Sequence, residues 1–330
     1  MLRASAAFLL AFALSLYITP MMRRAAIQFG ILDRPTGELK DHPQAVPYLG
    51  GLAVFVAYLF ALGITFEFGH AVLGILLSGT LMLLLGLIDD LGVLSPWEKI
   101  AGQTVAIVVL LKAGLYIKLA FLPAPVAWTL SVLWLLTVTN AVNIIDIMDG
   151  LASGVGAIAA LFLATIAIRN GEPMVAVMAA ALAGGLCGFL RYNFKPATIY
   201  LGDSGSLFVG LTLSSLAMNG HYTSRNSLAM LTPVIILGVP LLDLAFVSVA
   251  RVRKGLSPFR GSQDHIALRL KRKGLSVPRI VSLAYACSFA LGLSAYAVMD
   301  AASEGAASAI LVGLFAALLT LASLLWRTGI

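Results

Sequence analysis

The chain has 330 residues, of which 60% are hydrophobic and 11% charged, less than half the charged share of an ordinary soluble domain; this excludes a soluble globular fold and indicates a membrane protein. Its two cysteines, Cys187 and Cys287, both lie in apolar runs, which excludes a disulfide framework and a thiolate zinc site. The net charge of +7 sits mainly in loops between apolar runs and reads as membrane topology and phosphate binding, with no case for nucleic acid.

Cutting the chain at charged and Gly/Pro-rich breaks gives apolar runs near 4–20, 48–66, 70–88, 100–117, 126–143, 151–168, 174–190, 205–219, 228–249, 279–299 and 306–325. Most approach the ~20 residues that a helix needs to cross ~30 Å of hydrocarbon. The expectation is an all-α, polytopic integral membrane protein with about eleven transmembrane helices. The first run has only Arg3 before it, Arg23 and Arg24 after it, and no convincing cleavage site, so it reads as an uncleaved helix and not as a signal peptide.

Lys and Arg orient these spans. If residues 21–47, 89–99, 144–150, 191–204, 250–278 and the C-terminus share one side, that side holds nearly all the basic residues, and the other keeps Arg3, Lys112, Lys118, Arg169 and Arg225. The positive-inside rule makes the rich side cytoplasmic, with the N-terminus outside and the C-terminus in the cytoplasm. Residues 1–330 then read as one transmembrane domain whose cytoplasmic loops, 21–47, 89–99, 144–150, 191–204 and 250–278, form the active site. The expected location is the inner (plasma) membrane.

The same cut collects carboxylates at cytoplasmic helix ends. GLIDDLG (86–92) carries Asp89 and Asp90. NAVNIIDIMDG (140–150) places Asn140, Asn143, Asp146 and Asp149 at every third position; on a helix such a step covers roughly half the circumference, and neighbours three apart still meet. Gly150 is a natural residue to end that helix. In GDSGS (202–206), Gly202 and Gly205 flank Asp203 at the start of a span, where free N–H groups can hold a phosphate or metal-phosphate. Any one of these aspartates is accounted for as a helix cap facing water. As a set on one face they repel one another unless a cation sits among them, and Asp and Asn oxygens suit Mg²⁺ or Mn²⁺.

The largest polar segment, RVRKGLSPFRGSQDHIALRLKRKG, would for the most part lie on anionic lipid headgroups. Its centre differs, because Asp264, His265 and Arg269 put an imidazole beside a carboxylate and one helical turn from a guanidinium suited to diphosphate. Asp243, in GVPLLDLAF, is the one acid well inside a span; it reads as a helix-end residue, a structural partner near Pro240, or part of a relay.

These residues carry a resemblance. KDHPQAVPYLGG (40–51), GLIDDLG (86–92), NAVNIIDIMDGLASG (140–154), FLRYNFKPATIYLGDSGS (189–206) and DHIALRL (264–270) occur in the order of the polyprenyl-phosphate N-acetylhexosamine-1-phosphate transferases, and the chain resembles that family over most of its length. The resemblance implies Mg²⁺-dependent transfer of a sugar 1-phosphate from a UDP-N-acetylhexosamine to a polyprenyl phosphate, undecaprenyl phosphate foremost. UMP would be released, and the lipid-linked diphosphosugar would feed cell-envelope polysaccharide synthesis.

It also implies roles. Asn143 and Asp203 match the metal ligands, with Mn²⁺ as an alternative ion. Asp89 and Asp90 match the paired aspartates near the lipid phosphate, one of them a candidate general base, and His265 joins them as catalytic. Asp146 and Asp149 match the nucleotide side, Arg269 the sugar-diphosphate, and Lys40, His42 and Asn193 fall in motifs expected to bind substrate. A second copy of the chain is a further candidate partner. The family's loop commonly reads HIHHRL where this chain has HIALRL, so the identity of the sugar stays open, and DIMDG stands where DGMDG or DGLDG is commoner.

A transporter with an acidic ion site on its cytoplasmic side is the rival reading. Transporters usually place such acids near the midplane in broken helices and carry an internal repeat, and no repeat is visible here. A scaffold without chemistry would leave the ordered acidic motifs unexplained.

Overall fold

The structure, a computed structural model, describes residues 1–33, 45–118, 122–255 and 264–327. In chain order the elements are α1 (Leu2–Gln28), β1 (Leu32–Asp33), β2 (Val46–Pro47), α2 (Gly50–Thr65), α3 (His70–Asp90), α4 (Pro96–Lys112), α5 (Ala124–Ile144), α6 (Leu151–Asn170), α7 (Pro173–Asn193) and α8 (Gly202–Met218). A 3₁₀ turn (Ser227–Leu231) then leads into α9 (Thr232–Ile236), α10 (Gly238–Arg253), α11 (Ile266–Arg272), α12 (Val277–Asp300) and α13 (Glu304–Arg327). Apart from the two-residue antiparallel pairing of β1 with β2, the regular structure of the described residues is helical. This is an all-α membrane protein.

The apolar runs of the sequence fall mainly on helical residues, because in these runs length and hydropathy leave few alternatives. Among the described residues seven helices (α1, α3, α5, α6, α7, α12 and α13) are long and apolar enough to cross a membrane. The run at 228–249 is broken: Ser227–Ile236 and Gly238–Arg253 meet at 74°, and counted as one span they make an eighth. Pro240 explains the break, since its ring displaces the carbonyl of Ile236 and it lacks the N–H that would bond there. α2 has 16 residues, and α4 and α8 have 17 each, so these three reach about 24 to 26 Å and fall short of ~30 Å of hydrocarbon.

The chain forms two compact units, residues 1–220 and 221–330. In the first, α8 packs among α2, α3, α5 and α6, and every residue from Ser204 to Ala217 is buried. Small residues allow that closeness: a methyl group on Gly210 would lie 2.7 Å from the Cα of Thr139. On α7, Gly184 and Gly188 face the carbonyls of Phe8 and Phe12 on α1, the small-residue spacing that lets membrane helices approach without a hydrophobic driving force between them.

Two local devices aim the polar ends of this unit. Residues 47–51 run beside 200–201 through Tyr200 N–H to the Pro47 carbonyl (2.8 Å), Gly50 N–H to the Tyr200 carbonyl (3.0 Å) and Gly51 N–H to the Leu201 carbonyl (2.8 Å). The start of α4 is a capping box with Pro96 in its first turn: the Ser95 hydroxyl accepts the Glu98 N–H, and a Glu98 carboxylate oxygen accepts the Ser95 N–H. That box fixes where Lys99, the next residue, enters the helix.

In the second unit α12 packs against α9, α10, α11 and α13. Asn226 ties its ends together, accepting the Ala229 N–H (2.9 Å) and donating to the Val298 carbonyl (2.9 Å).

Candidate active site

The four polar residues of NAVNIIDIMDG do not share one helix. α5 stops at Ile144, residues 145–150 form turns, and Gly150, at φ +80°, begins α6. The expectation that Gly150 ends the helix is therefore corrected: its positive φ serves the next helix's start, where a β-carbon would be strained. Each side chain goes to its own partner. Asn140 exchanges amide hydrogen bonds with Gln103 of α4 (2.8 and 3.3 Å). Asn143 donates to an Asp203 carboxylate oxygen and to the Ser206 hydroxyl (2.8 Å).

Lys99 is the centre of this cluster. Its ammonium lies 2.6 Å from Asp89 Oδ2, 3.1 Å from Asn143 Oδ1 and 3.3 Å from Asp203 Oδ2. Three oxygens from α3, α5 and α8 thus converge on one cation. Two carboxylates and an amide carbonyl are the hard oxygen donors that a divalent ion of Mg²⁺ type takes, with water and substrate phosphate completing its shell. Among the described residues no three His, Cys, Asp or Glu side chains are grouped to hold a metal, so an ion here would rely on one or two carboxylates together with Asn143 and non-protein oxygens. That suits Mg²⁺, which commonly keeps one or two carboxylates.

Asp90 has a different task from its neighbour. Its two oxygens accept the N–H groups of Asp203 (2.8 Å) and Ser204 (3.1 Å), the donors that the sequence reading left open for a phosphate at the start of α8. The phosphate expectation for that helix start is corrected, because a carboxylate 113 residues away in sequence already caps it. Gly202, at φ +75°, makes room, since a β-carbon there would lie 2.8 Å from the Asp90 carboxylate.

Asp146 lies in the turn between α5 and α6, near the Gly202 N–H. Burial first, and then the negative charges of Asp203 and Asp90, push its carboxyl up to about 8. Asp149 accepts the Ala197 N–H (3.0 Å) and pairs with Lys195 (3.3 Å), which fastens the 194–201 loop. Asn193 is buried: its carbonyl oxygen accepts the Gly150 N–H (3.1 Å) and the Ser153 hydroxyl (2.6 Å), and its amide donates to the Ile199 carbonyl (3.1 Å). Expected among substrate-binding residues, Asn193 braces the backbone beneath the aspartates through these three bonds. Lys40 and His42 lie outside the described residues.

The second unit holds the other motif. Asp264, His265 and Arg269 are all buried. Arg269 donates to Asp264 (3.1 Å) and its guanidinium lies 5.0 Å from the centre of the Phe246 ring and 5.6 Å from that of Trp326, while its Nε–H is buried without a hydrogen-bond partner among the described residues. Burial would raise the Asp264 carboxyl, but Lys254, at 2.8 Å, and Arg269 hold it below the usual carboxylate value. Asp243, left open between three roles, contacts His265. Ala267, at a position often polar in the family loop, is buried, so the small side chain fits a packed position.

Sequence reasoning missed Lys99, Ser206 and Gln103 as members of the polar cluster. The capping box at Ser95 was the available signal for Lys99, since it shows that residue 99 belongs to a helix's first turns and not to a solvated loop.

Comparison with known proteins gives concordant matches. The family model described as glycosyl transferase family 4 matches residues 72–221. The chain is 34% identical over 314 residues to a probable undecaprenyl-phosphate N-acetylglucosaminyl 1-phosphate transferase of Bacillus subtilis (strain 168), covering 91% of this chain and 86% of that one. It is 33% identical over 307 residues to a decaprenyl-phosphate N-acetylglucosaminephosphotransferase of Mycolicibacterium smegmatis (82% and 75% covered). A third relative, an undecaprenyl-phosphate alpha-N-acetylglucosaminyl 1-phosphate transferase of Salmonella typhi, is 24% identical over 293 residues (83% and 79% covered).

Proposed function

The chain belongs to glycosyl transferase family 4, and from that premise we propose that it transfers N-acetylglucosamine 1-phosphate from a UDP-sugar to a polyprenyl phosphate, releasing UMP. The observation that carries the proposal is the convergence of Asp89, Asn143 and Asp203 on the Lys99 ammonium, where three of the family's motifs meet at one cation. Relatives named for undecaprenyl and decaprenyl acceptors support a long polyprenyl phosphate as the lipid, with undecaprenyl phosphate first. The transporter reading loses its support, since these relatives are named as transferases.

In the proposed reaction an oxygen of the lipid phosphate attacks the sugar-bearing phosphorus of the UDP-sugar, and the bond from that phosphorus to the UMP oxygen breaks. Both reactants are anionic. A Mg²⁺ ion held by Asp203 and Asn143, with Mn²⁺ as a substitute, would supply charge screening of the diphosphate. Lys99 adds positive charge at the same oxygens. Asp89, which caps no backbone N–H among the described residues, is the better candidate of the aspartate pair to take a proton from the lipid phosphate. Asp90 holds the start of α8 and so the position of Asp203. Asp146 and Asp149 belong to the nucleotide side, and His265 and Arg269 are assigned to the sugar-diphosphate by their motif.

The proposed topology has about eleven spans, eight of adequate length and three short helices that use a thinned bilayer or flanking residues. The charge-rich loops face the cytoplasm, where UDP-sugars are found, in the inner (plasma) membrane, with a homodimer as the candidate assembly. The deciding assay is UMP release by purified protein with undecaprenyl phosphate, Mg²⁺ and a panel of UDP-sugars. Release with UDP-N-acetylglucosamine is the expected result; no release with any sugar would sink the proposal.

A further inference from the structure

Asp243 and His265 are both buried in the second unit, and burying two ionisable side chains is costly unless they satisfy each other. They do so: His265 Nδ1 lies 2.7 Å from Asp243 Oδ2. The other oxygen, Oδ1, accepts the backbone N–H of Ile266 at 2.8 Å, so one carboxylate fixes both the imidazole and the backbone where α11 begins. That helix carries Arg269 one turn later. Among the described residues nothing bonds His265 Nε2.

We propose that Asp243 is the positioning residue of His265, holding the ring with its proton on Nδ1 and presenting Nε2 as the nitrogen that meets the sugar-diphosphate. Asp243 accepts the Ile266 N–H through Oδ1, and a carboxylate oxygen in the same accepting role at Oδ2 favours the proton on Nδ1 across the 2.7 Å contact, which in the neutral ring leaves Nε2 as the acceptor. Protonated on both nitrogens, the same ring would offer Nε2–H to a phosphate oxygen from an unchanged orientation. The break before Pro240 contributes, because it starts α10 afresh at Gly238 and puts Asp243 in its second turn, opposite the chain at 265–266. Asp243 is thereby taken out of the role of an isolated acid inside a span. The place of Nε2 in the reaction rests on the function proposed above; the tautomer does not.

The test uses the full-length protein in detergent with ¹⁵N-labelled histidine. The sequence has four histidines, and His265→Gln identifies the resonances of this one. In the wild type, Nδ1 of the neutral ring should show the shift of a protonated nitrogen and Nε2 that of an unprotonated one. Asp243→Asn keeps the shape but offers an N–H donor in place of one carboxylate oxygen, so the ring should move toward the Nε2–H tautomer. Turnover should fall by about 10- to 100-fold, the usual scale for losing a group that orients a functional histidine, with KM changing far less than kcat. Asp243→Glu should recover part of the Nδ1–H signal and part of kcat. A wild-type ring protonated on Nε2 alone, or a tautomer unmoved by Asp243→Asn, would overturn the positioning role. A tautomer that moves while Asp243→Asn and His265→Gln both turn over normally would instead overturn the place of His265 in the reaction.

Discussion

Asp90 at the end of α3 accepts the backbone N–H of Asp203 at the start of α8, at 2.8 Å, so one member of an adjacent aspartate pair is a cap while the other faces Lys99. The pair should divide accordingly. Asp90→Ala strands the N–H groups of Asp203 and Ser204, and with a cost of about 1–3 kcal/mol for a buried donor left unpaired it should lower the melting temperature in detergent by several degrees. Asp89→Asn should leave the melting temperature within a degree or two of wild type and remove most of the activity. Equal loss of stability in both variants would show that the pair does not divide in this way.

Asp146 predicts a pH dependence. Its folded carboxyl is pushed up to about 8 from the ordinary aspartate value of 3.8, so between those pH values the folded chain binds a proton that the unfolded chain does not. The sign follows: this contribution to stability is full below about pH 4 and is lost as pH rises through about 8. In EDTA, melting temperature should fall from pH 6 to pH 9, and Asp146→Asn, which keeps the shape without the charge, should flatten that slope. The same slope in both proteins would assign it to other groups.

Charge asymmetry predicts the sidedness of the loops. With Cys187 and Cys287 replaced by serine, a cysteine at Ser224 should react with an impermeant thiol reagent in intact cells, and one at Ser276 should react only after lysis. Both positions are exposed in the structure. The reverse pattern would invert the topology and move every aspartate motif to the outer face.

The helices were legible because apolar length is a local property: the runs from 4–20 to 306–325 fall mainly on helical residues, with 228–249 split by a break. The break near Pro240 was signalled by the proline, but its 74° angle comes from packing of the second unit, which no window of sequence contains. The acidic motifs were legible as a group and less so in their separate tasks. Asp90 as a cap for α8, Asp149 as a clasp for residues 195–197, and Asn193 as a brace for Gly150 and Ser153 all depend on partners tens of residues away. Lys99 was hidden for a related reason. A lysine after a short loop reads as a solvated charge until Asp89, Asn143 and Asp203 are brought around it.

That lysine sets the last prediction, which separates a metal role for Asp203 from proton transfer. Asn143 donates to Asp203 and an amide cannot act as a base, so the proposed pair is tested as a cation site and not as a proton relay. Asp203→Asn is nearly isosteric and should fold, yet lose turnover by at least about 100-fold, since even groups that only orient a metal ligand cost 10- to 100-fold. What turnover remains should need more Mg²⁺. Lys99→Met does the opposite to the charge balance: Asp89 and Asp203 lose the ammonium that bridges them, and like charges a few ångströms apart repel by on the order of a few kcal/mol at the effective dielectric of such a site. The variant should melt lower than wild type in EDTA, and added Mg²⁺ should raise its melting temperature more than it raises that of the wild type, because the ion then replaces the missing charge. If Mg²⁺ moved both proteins equally and Asp203→Asn shifted only the pH profile, Asp203 would be acting as an acid or base, and the cation site would have to be sought elsewhere.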